Sequence, residues 1–213
     1  MLTLYDYYRS SACFRVRIAL QLKNIPHELA SVHLVNNGGE QHSDEYKKIN
    51  PFAAVPTLMI DDRPLTQSLA IIEYLNETNP APALLPADPY TRALARSFAL
   101  TIAADIHPLD NLRVLKYLMN ELNINEDQKN KWYQHWIIKG FDALEKQLAH
   151  QNRQTPFCFG DEPSIADICL APQMYNARRF NCDLTPYPTL VRIDAHCQSQ
   201  AAFKAAWPVE VPA

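Results

Sequence analysis

The chain has 213 residues, a length that fits one large domain or two small ones. Hydrophobic residues make up 47% of it, enough for a packed core, and the net charge of −3 argues against a nucleic-acid-binding protein, which would favour a basic surface. Glycine is scarce at 4 residues, and the sequence contains neither a Gly-x-Gly-x-x-Gly nor a Walker motif, so nucleotide binding has no support.

The apolar segments of the sequence bear on its location. No apolar run approaches the ~20 residues that a helix needs to span a bilayer. The chain begins with a polar-interrupted strand pattern and not with a basic segment followed by an apolar signal-peptide core. We therefore expect a cytoplasmic protein with no membrane and no nucleic-acid partner.

Five cysteines are spread widely along the chain, at Cys13, Cys158, Cys169, Cys182 and Cys197. Their number is odd and no Cys-x-x-Cys pair occurs, which argues against a disulfide framework and against a zinc site. The last four are predicted to be small apolar residues that fill helix packing, and no bound metal is expected.

The first eighty residues alternate between strand and helix signals. An apolar run over 2–5 predicts a buried strand, and apolar residues at helical spacing from Val16 to Leu22 predict the helix that follows. Ser68 is expected to cap a later helix. The remaining predicted elements are strands over 28–34, 57–60 and 64–66 and a helix over 44–49. The order β-α-β-α-β-β-α is the thioredoxin-like arrangement.

Four prolines within residues 79–89 predict a linker, and the pattern beyond them is helical throughout. Asp88-Pro89 predicts a helix start, and Ser164 with Asp167 predicts a capping box in which Asp167 is structural. The predicted fold class is α/β plus all-α: a thioredoxin-like domain over 1–80, a linker over 81–88 and an all-helical domain over 89–213.

Residues 9–20, reading Arg-Ser-Ser-Ala-Cys-Phe-Arg-Val-Arg-Ile-Ala-Leu, place two hydroxyls and a thiol where a strand turns into a helix. The first turn of a helix has unpaired N–H groups and the positive end of the helix dipole, so it stabilises an anion. The sequence therefore predicts an anion or thiolate pocket here. Whether Cys13 or a ligand supplies the thiolate stays open.

Two later positions are suited to an extended, peptide-like anion. Pro56 directly precedes a strand, where cis and trans peptide bonds are both possible, and a cis turn would expose the backbone of Val55 to a ligand. Gln67-Ser68 opens a helix, so the N–H of Ser68 could hold a carboxylate or serve in a plain cap.

Several motifs together resemble the zeta class of cytosolic glutathione transferases. The Val55-Pro56 and Gln67-Ser68 pairs are typical of glutathione transferases in general. The resemblance covers essentially the whole chain, through residues 10–20, 50–51, 55–58, 67–75, 105–111, 160–161, 166–167, 179–180 and 183–188. Its most specific parts are Ser-Ser-x-x-Phe-Arg-Val-Arg from Ser10 and Asp-Leu-Thr-Pro-Tyr-Pro from Asp183.

The resemblance implies glutathione as the cofactor and its sulfur as the thiolate. It further implies a glutathione-dependent cis–trans isomerase that converts maleylacetoacetate to fumarylacetoacetate in tyrosine and phenylalanine catabolism, by thiolate addition, bond rotation and elimination. The alternatives are a transferase that conjugates small electrophilic or halogenated acids, isomerisation of maleylpyruvate, and a module that only makes protein contacts. The implied partners are a small dicarboxylic keto acid and a second copy of the chain in a homodimer.

The resemblance also assigns roles to individual residues. Ser10 would hydrogen-bond the sulfur, Ser11 would help to position it, and Arg15 joins them as a catalytic residue. The implied glutathione contacts are Ser10, Ser11, Ala12, Cys13, Phe14, Arg15, Gln41, Val55, Gln67, Ser68, His107, Asn111, Leu112 and Arg113. Within this set, Val55 would pair with the cysteinyl backbone and Gln41 would reach the glycine end.

The γ-glutamyl carboxylate would be held by Gln67 and Ser68. His107, Asn111 and Arg113 match family positions that close the site, although His107 alone reads as an ordinary helix residue beside a proline. Guanidinium groups grip carboxylates at two points, so Arg9, Arg15 and Arg179 are candidates for the substrate carboxylates. From the residues alone, Arg15 and Arg17 could equally be solvated or paired with acidic neighbours.

One position departs from the family pattern. The family commonly reads Ser-Ser-Cys, whereas here Ala12 follows the two serines and the thiol lies one residue later, at Cys13. Because the family cysteine is regarded as accessory, we expect isomerisation to be retained. A side activity that depends on that thiol would be affected.

Overall fold

The computed structural model describes residues 2–150 and 154–209. These residues fall into two compact units. One unit contains the residues up to Ala83 together with those from Gln200 onward, and the other contains the residues between Leu84 and Ser199. Residues 200–209 therefore group with the first unit, whereas the predicted helical domain, 89–213, includes them.

The first unit is built on a four-stranded sheet of mixed direction. Its strands are β1 (Leu2–Asp6), β2 (Glu28–Ser31), β3 (Thr57–Ile60) and β4 (Arg63–Thr66), in the order β2-β1-β3-β4. β1 and β2 are parallel, and β3 is antiparallel to both of its neighbours. This sheet, with a helix joining the parallel pair and a hairpin at the end, confirms the predicted thioredoxin-like arrangement.

The second strand is shorter than the sequence predicts. After β2 ends at Ser31, one more backbone hydrogen bond joins this segment to β1, from the Val32 N–H to the Asp6 carbonyl at 2.8 Å. Beyond it the ring of His33 accepts hydrogen bonds from the N–H groups of Val35 and Asn36, at 3.2 and 2.9 Å. These bonds turn the chain away from β1, so residues 33 and 34 do not extend the strand.

Helices pack around this sheet. They are α1 (Ser11–Leu22), α2 (Asp44–Ile49), α3 (Ser68–Thr78) and, from the end of the chain, α9 (Ala201–Ala205). α1 contacts both α3 and α9. Residues 200–209 join this unit because Phe203 is buried and Trp207 meets the ring of Phe14 edge-on, with 5.7 Å between ring centroids.

The second unit is helical in its described part, as predicted. Its elements are α4 (Pro89–Leu100), a π-helical turn (Thr101–Ile106), α5 (Leu112–Asn120), α6 (Glu126–Ala149), α7 (Ile165–Arg179) and α8 (Pro188–Ser199). α7 is buried along residues 165–174 and contacts both α4 and α8. Among the residues described in either unit, no helix combines the length and the apolar character needed to cross a bilayer.

Local signals predicted two helix starts in this unit. Asp88 caps α4 by accepting a hydrogen bond from the N–H of Thr91 at 2.8 Å, with Pro89 at the first helical position. Ser164 and Asp167 form the predicted capping box at the start of α7. On α6, Tyr133 and Ile137 are buried while Trp132 and Trp136 are half-buried.

Candidate functional site

The turn between β1 and α1 presents the hydroxyl of Ser10. Ser10 is the N-cap of α1, and its Oγ accepts a hydrogen bond from the N–H of Cys13 at 3.3 Å. Its own N–H donates to the carbonyl of Tyr7 at 2.8 Å, which holds the serine at the positive end of the helix. A hydroxyl that accepts such a bond keeps its O–H as a donor, so Ser10 is able to donate to an anion.

Cys13 lies in the same turn but is fully buried. Burial raises the pKa of its thiol well above the usual range, and the charge of Asp6 acts in the same direction. The Cys13 side chain therefore stays a protonated thiol and does not supply the thiolate of this turn. All five cysteines are free; Cys169 and Cys197 fill helices as predicted, whereas Cys158 and Cys182 lie outside helices.

The neighbouring residues of the first turn differ in their surroundings. Phe14 is buried among core residues, with Trp207 against its ring, so a glutathione contact at this position would involve only its backbone. Ser11 is also buried, while Ala12 is half-buried. Arg9, just before the turn, is exposed, and its guanidinium donates two hydrogen bonds to the hydroxyl of Tyr7, at 3.1 and 2.8 Å.

Arg15 connects α1 to the start of α3. Its side chain is only 1% exposed, and one guanidinium nitrogen donates to the Oγ of Ser68 at 3.3 Å. Arg15 is therefore not a solvated surface residue. Its positive charge lies beside the first turn of α3, where the helix dipole already favours an anion. Burial leaves little of the guanidinium for a direct grip on a substrate carboxylate.

The start of α3 differs from the prediction in one respect. Ser68 is not the cap but the first helical residue, because the N-cap position is taken by Gln67, whose side chain makes no capping hydrogen bond. Gln67 has a φ of 69°, a backbone conformation that costs a residue with a Cβ on the order of 1 kcal/mol. A strained, exposed residue at a helix start without a side-chain cap suits the binding of a carboxylate.

The segment before β3 is held from the side of α2. The hydroxyl of Tyr46 and the side-chain amide of Asn50 both donate to the carbonyl of Ala54, at 2.8 and 2.7 Å. The peptide bond between Val55 and Pro56 is cis, whereas the sequence alone allowed either the cis or the trans form. Val55 is half-buried at this anchored turn.

Gln41 lies in the short 3-10 turn Glu40–His42 and is buried. A Cβ at Gly39 would come within 2.5 Å of its side-chain nitrogen, and Gly39 has a φ of 110°, so this position requires glycine. The side-chain oxygen of Gln41 has no hydrogen-bond partner among the described residues. A buried acceptor in this state can be satisfied by a ligand N–H, which fits the predicted contact with glutathione.

The sheet topology brings three of these positions to one edge. β1 ends next to the start of β3, with Tyr5 opposite Thr57, and β3 starts next to the end of β4, with Thr57 opposite Thr66. The turn before Ser10, the segment of Val55, and Gln67-Ser68 therefore all leave the sheet at the same edge. This edge offers a hydroxyl donor, an anchored backbone segment and a positive helix end beside Arg15.

The predicted residues of the second unit lie on two of its elements. His107 is half-buried at the end of the π-helical turn. Asn111 caps α5 by accepting a hydrogen bond from the N–H of Arg113 at 3.2 Å, and Leu112 is the first residue of that helix. Arg179 ends α7 with its guanidinium 4.9 Å from the ring centre of Phe180.

Sequence reasoning missed Asp110, which follows His107 in the same turn. Its side chain is only 6% exposed, and neither carboxyl oxygen has a hydrogen-bond partner among the described residues. Burial raises the pKa of Asp110 to about 8. The group also raises the pKa values of Tyr133 and Cys182, which places it near both. An aspartate in a turn is ordinarily solvated, so the sequence carried no signal for this burial.

The Asp110→Asn variant is expected to change how stability depends on pH. Between pH ~4 and ~8 the folded protein keeps the Asp110 proton, whereas the unfolded chain has lost it, so rising pH lowers the free energy of unfolding. The asparagine variant lacks this loss. Between pH ~5 and ~8, the free energy of unfolding of the variant relative to that of the wild type should therefore rise by about 4 kcal/mol, measured by urea unfolding.

An exposed aspartate on the preceding turn provides the control. The difference from the wild type should vary with pH more strongly in Asp110→Asn than in Asp105→Asn. If the two differences vary alike, the buried carboxyl of Asp110 is already ionised at neutral pH, contrary to this prediction.

The chain matches two family models. They are described as the glutathione S-transferase N-terminal domain, over residues 4–83, and the glutathione S-transferase C-terminal domain, over residues 131–197. A probable maleylacetoacetate isomerase from Vibrio cholerae is 48% identical over 211 residues, which cover 99% of this chain and 97% of that protein.

Two solved structures are similar throughout. One is a holo structure of maleylpyruvate isomerase, a bacterial zeta-class glutathione S-transferase, with a TM-score of 0.94, 44% identity, and 97% of this chain and 96% of that chain covered. The other is maleylacetoacetate isomerase from Methylobacterium extorquens AM1 with bound malonate and glutathione, with a TM-score of 0.93, 39% identity, and coverage of 99% and 98%.

These matches confirm the resemblance inferred from the motifs. Both domains of the family are present in order, and full-length relatives share close to half of the residues. The four-stranded mixed sheet and the helical second unit are the fold of those relatives. The chain therefore belongs to the glutathione S-transferase family, within its zeta class.

Proposed function

We propose that the chain is a glutathione-dependent cis–trans isomerase that converts maleylacetoacetate to fumarylacetoacetate. The observation that carries the proposal is the shared sheet edge, where the Ser10 hydroxyl, the Val55 segment and the positive end of α3 come together. The substrate is proposed from the full-length relatives of that name. One of the similar structures has glutathione and malonate, a small dicarboxylate, bound.

Glutathione, when bound, supplies the thiolate that adds to the cis double bond and is expelled after the bond has rotated. Ser10 donates its O–H to the sulfur at the positive end of α1. A free thiol has a pKa near ~8.5, and lowering it by one unit takes about 1.4 kcal/mol, which one hydrogen bond to an anion can provide. The buried Cys13 thiol contributes packing and no thiolate.

The rest of the tripeptide is assigned to the other described groups of this unit. The first N–H groups of α3 hold the γ-glutamyl carboxylate, and Arg15 adds its charge to that helix end through Ser68. Val55 pairs through its backbone with the cysteinyl residue. The buried oxygen of Gln41 accepts a hydrogen bond from the glycine end.

A second candidate substrate is maleylpyruvate. The relatives include a maleylpyruvate isomerase from a Ralstonia species, 45% identical over 98% of this chain, a similarity close to that of the other relatives. Both reactions need the same thiolate and differ only in the acyl chain of the substrate. Conjugation of electrophilic acids also needs that thiolate but consumes it.

The proposal is tested by assaying the wild-type protein on each substrate with glutathione at a concentration far below the substrate. We expect many trans products per glutathione, with maleylacetoacetate turned over faster than maleylpyruvate. S-methylglutathione, which has no thiol, is the control and should support no turnover. Product formation that stops at one equivalent of glutathione would instead identify a conjugating transferase.

We propose four further assignments from the resemblance to the zeta class. They are a homodimer, a cytoplasmic location, a place in tyrosine and phenylalanine catabolism, and further ligand contacts by Arg9, His107, Asn111, Leu112, Arg113 and Arg179.

A further inference from the structure

Arg17 is a second buried arginine on α1, two residues after Arg15 and only 7% exposed. All three nitrogens of its guanidinium make hydrogen bonds. One donates to the carboxylate of Asp6 at 2.5 Å, one to the carbonyl of Tyr8 at 3.1 Å and one to the carbonyl of Ala206 at 3.0 Å. A group whose nitrogens are all engaged inside the unit is not placed to bind a ligand.

The acceptors of Arg17 lie around the turn that presents Ser10. Asp6 ends β1, and Tyr8 is two residues before Ser10. The intervening Tyr7 accepts the hydrogen bond from the Ser10 N–H. Arg17 therefore holds both Asp6 and Tyr8 against the helix that Ser10 caps, and it fixes the course of the turn between β1 and α1.

The third acceptor connects this turn to the segment that follows α9. Ala206 follows α9, and the next residue, Trp207, packs edge-on against Phe14 on α1. The Arg17 side chain also lies over the Phe14 ring, with 5.4 Å between its central carbon and the ring centre. Residues 203–207 thus support α1 from the side on which Arg17 projects.

We propose that Arg17 is a positioning residue for Ser10: its forked hydrogen bonds to Asp6, Tyr8 and Ala206 set the place of the Ser10 hydroxyl against the ligand sulfur. The inference rests on the proposed function, because that function assigns the sulfur to Ser10. It predicts that a substitution of Arg17 weakens the action of Ser10 on the sulfur, since a hydroxyl displaced by about 1 Å loses much of its effect on a reacting group.

The Arg17→Lys variant separates charge from geometry. Lysine keeps a positive charge beside Asp6 but has a single nitrogen and cannot reproduce the three-way fork. We expect the pKa of glutathione bound to the variant to rise by about one unit, and kcat/KM to fall about tenfold, while the dissociation constant of glutathione changes less than threefold. The pKa is measured from the ultraviolet absorbance of the bound thiolate during a pH titration.

Lys23 offers a matched control at the opposite end of α1. It is buried, and its Nζ donates to the side chain of Asn76 and to the carbonyls of Asn79 and Pro82, at 3.0, 2.5 and 2.6 Å. Lys23→Met also removes three buried hydrogen bonds from the same helix. It should lower thermal stability and leave the pKa of the bound thiol unchanged.

The outcomes are distinguishable. An Arg17→Lys protein with a wild-type thiol pKa and kcat/KM, or a thiol pKa raised equally in Lys23→Met, overturns the positioning role. A wild-type protein without any thiolate signal overturns the proposed function, and this inference with it. If Arg17→Lys fails to fold, the double variant Asp6→Asn/Arg17→Gln removes both buried charges together and should show the same rise in thiol pKa.

Discussion

Replacing Ser10 by alanine is expected to lower kcat about a hundredfold or more. The variant loses the O–H that stabilises the sulfur anion, and removal of one such donor in an enzyme site costs about 10²–10³ in rate. Glutathione affinity should stay within a few-fold of the wild-type value, because the Val55 segment and the α3 helix end beside Arg15 are untouched. Steady-state kinetics with saturating and with varied glutathione separate the two effects.

Ser10→Ala also removes a helix cap, so a matched control is needed. Ser43 caps α2 in the same way, with its Oγ accepting a hydrogen bond from the N–H of Tyr46 at 3.2 Å. Ser43→Ala should lose a similar amount of stability, about 1 kcal/mol, with unchanged kinetics. A wild-type kcat in Ser10→Ala would contradict the role assigned to this serine.

Replacing Asp167 by alanine is expected to lower the free energy of unfolding by at least about 3 kcal/mol. The carboxylate is fully buried and accepts hydrogen bonds from the Cys158 N–H at 2.8 Å and from the N–H and hydroxyl of Ser164, both at 2.9 Å. The variant leaves these buried donors without an acceptor, and each such group costs about 1–3 kcal/mol. Denaturant unfolding at neutral pH measures the loss.

Two further variants are compared with Asp167→Ala for their loss of stability. Asp167→Asn keeps the side-chain volume and one acceptor oxygen, so it should lose clearly less stability than the alanine variant. Asp183 also accepts a backbone hydrogen bond, from Thr185 at 2.9 Å, but it is exposed. Asp183→Ala should cost clearly less stability than Asp167→Ala because water can satisfy the released N–H. A similar loss in Asp167→Ala and Asp183→Ala would refute the structural role of the buried carboxylate.

Local signals predicted much of the secondary structure. The bounds of β3 and α2 agree with the sequence interpretation, and so do the start of α4 at Asp88-Pro89 and the capping box of Ser164 and Asp167. These features depend on neighbours within a few residues, where spacing and side-chain chemistry act directly on the backbone.

The surroundings of the charged residues could not be predicted in this way. Arg15 and Arg17 both read as helix residues that could be solvated. In the structure Arg15 contacts Ser68, 53 residues away, and Arg17 contacts Ala206, 189 residues away. Burial of Asp110 likewise depends on neighbours distant in sequence, among them Tyr133 and Cys182. No local periodicity reports such partners.

The sequence by itself determined the family, the order of the elements and the serine turn at Ser10, since these follow from motifs and from contacts within one or two helical turns. Only the tertiary structure decided that the Cys13 thiol is buried and protonated, that Arg15 supports the start of α3, and that residues 206 and 207 contact α1. The physical reason is that burial and the choice of a hydrogen-bond partner depend on which elements meet in space, and those elements lie far apart along the chain.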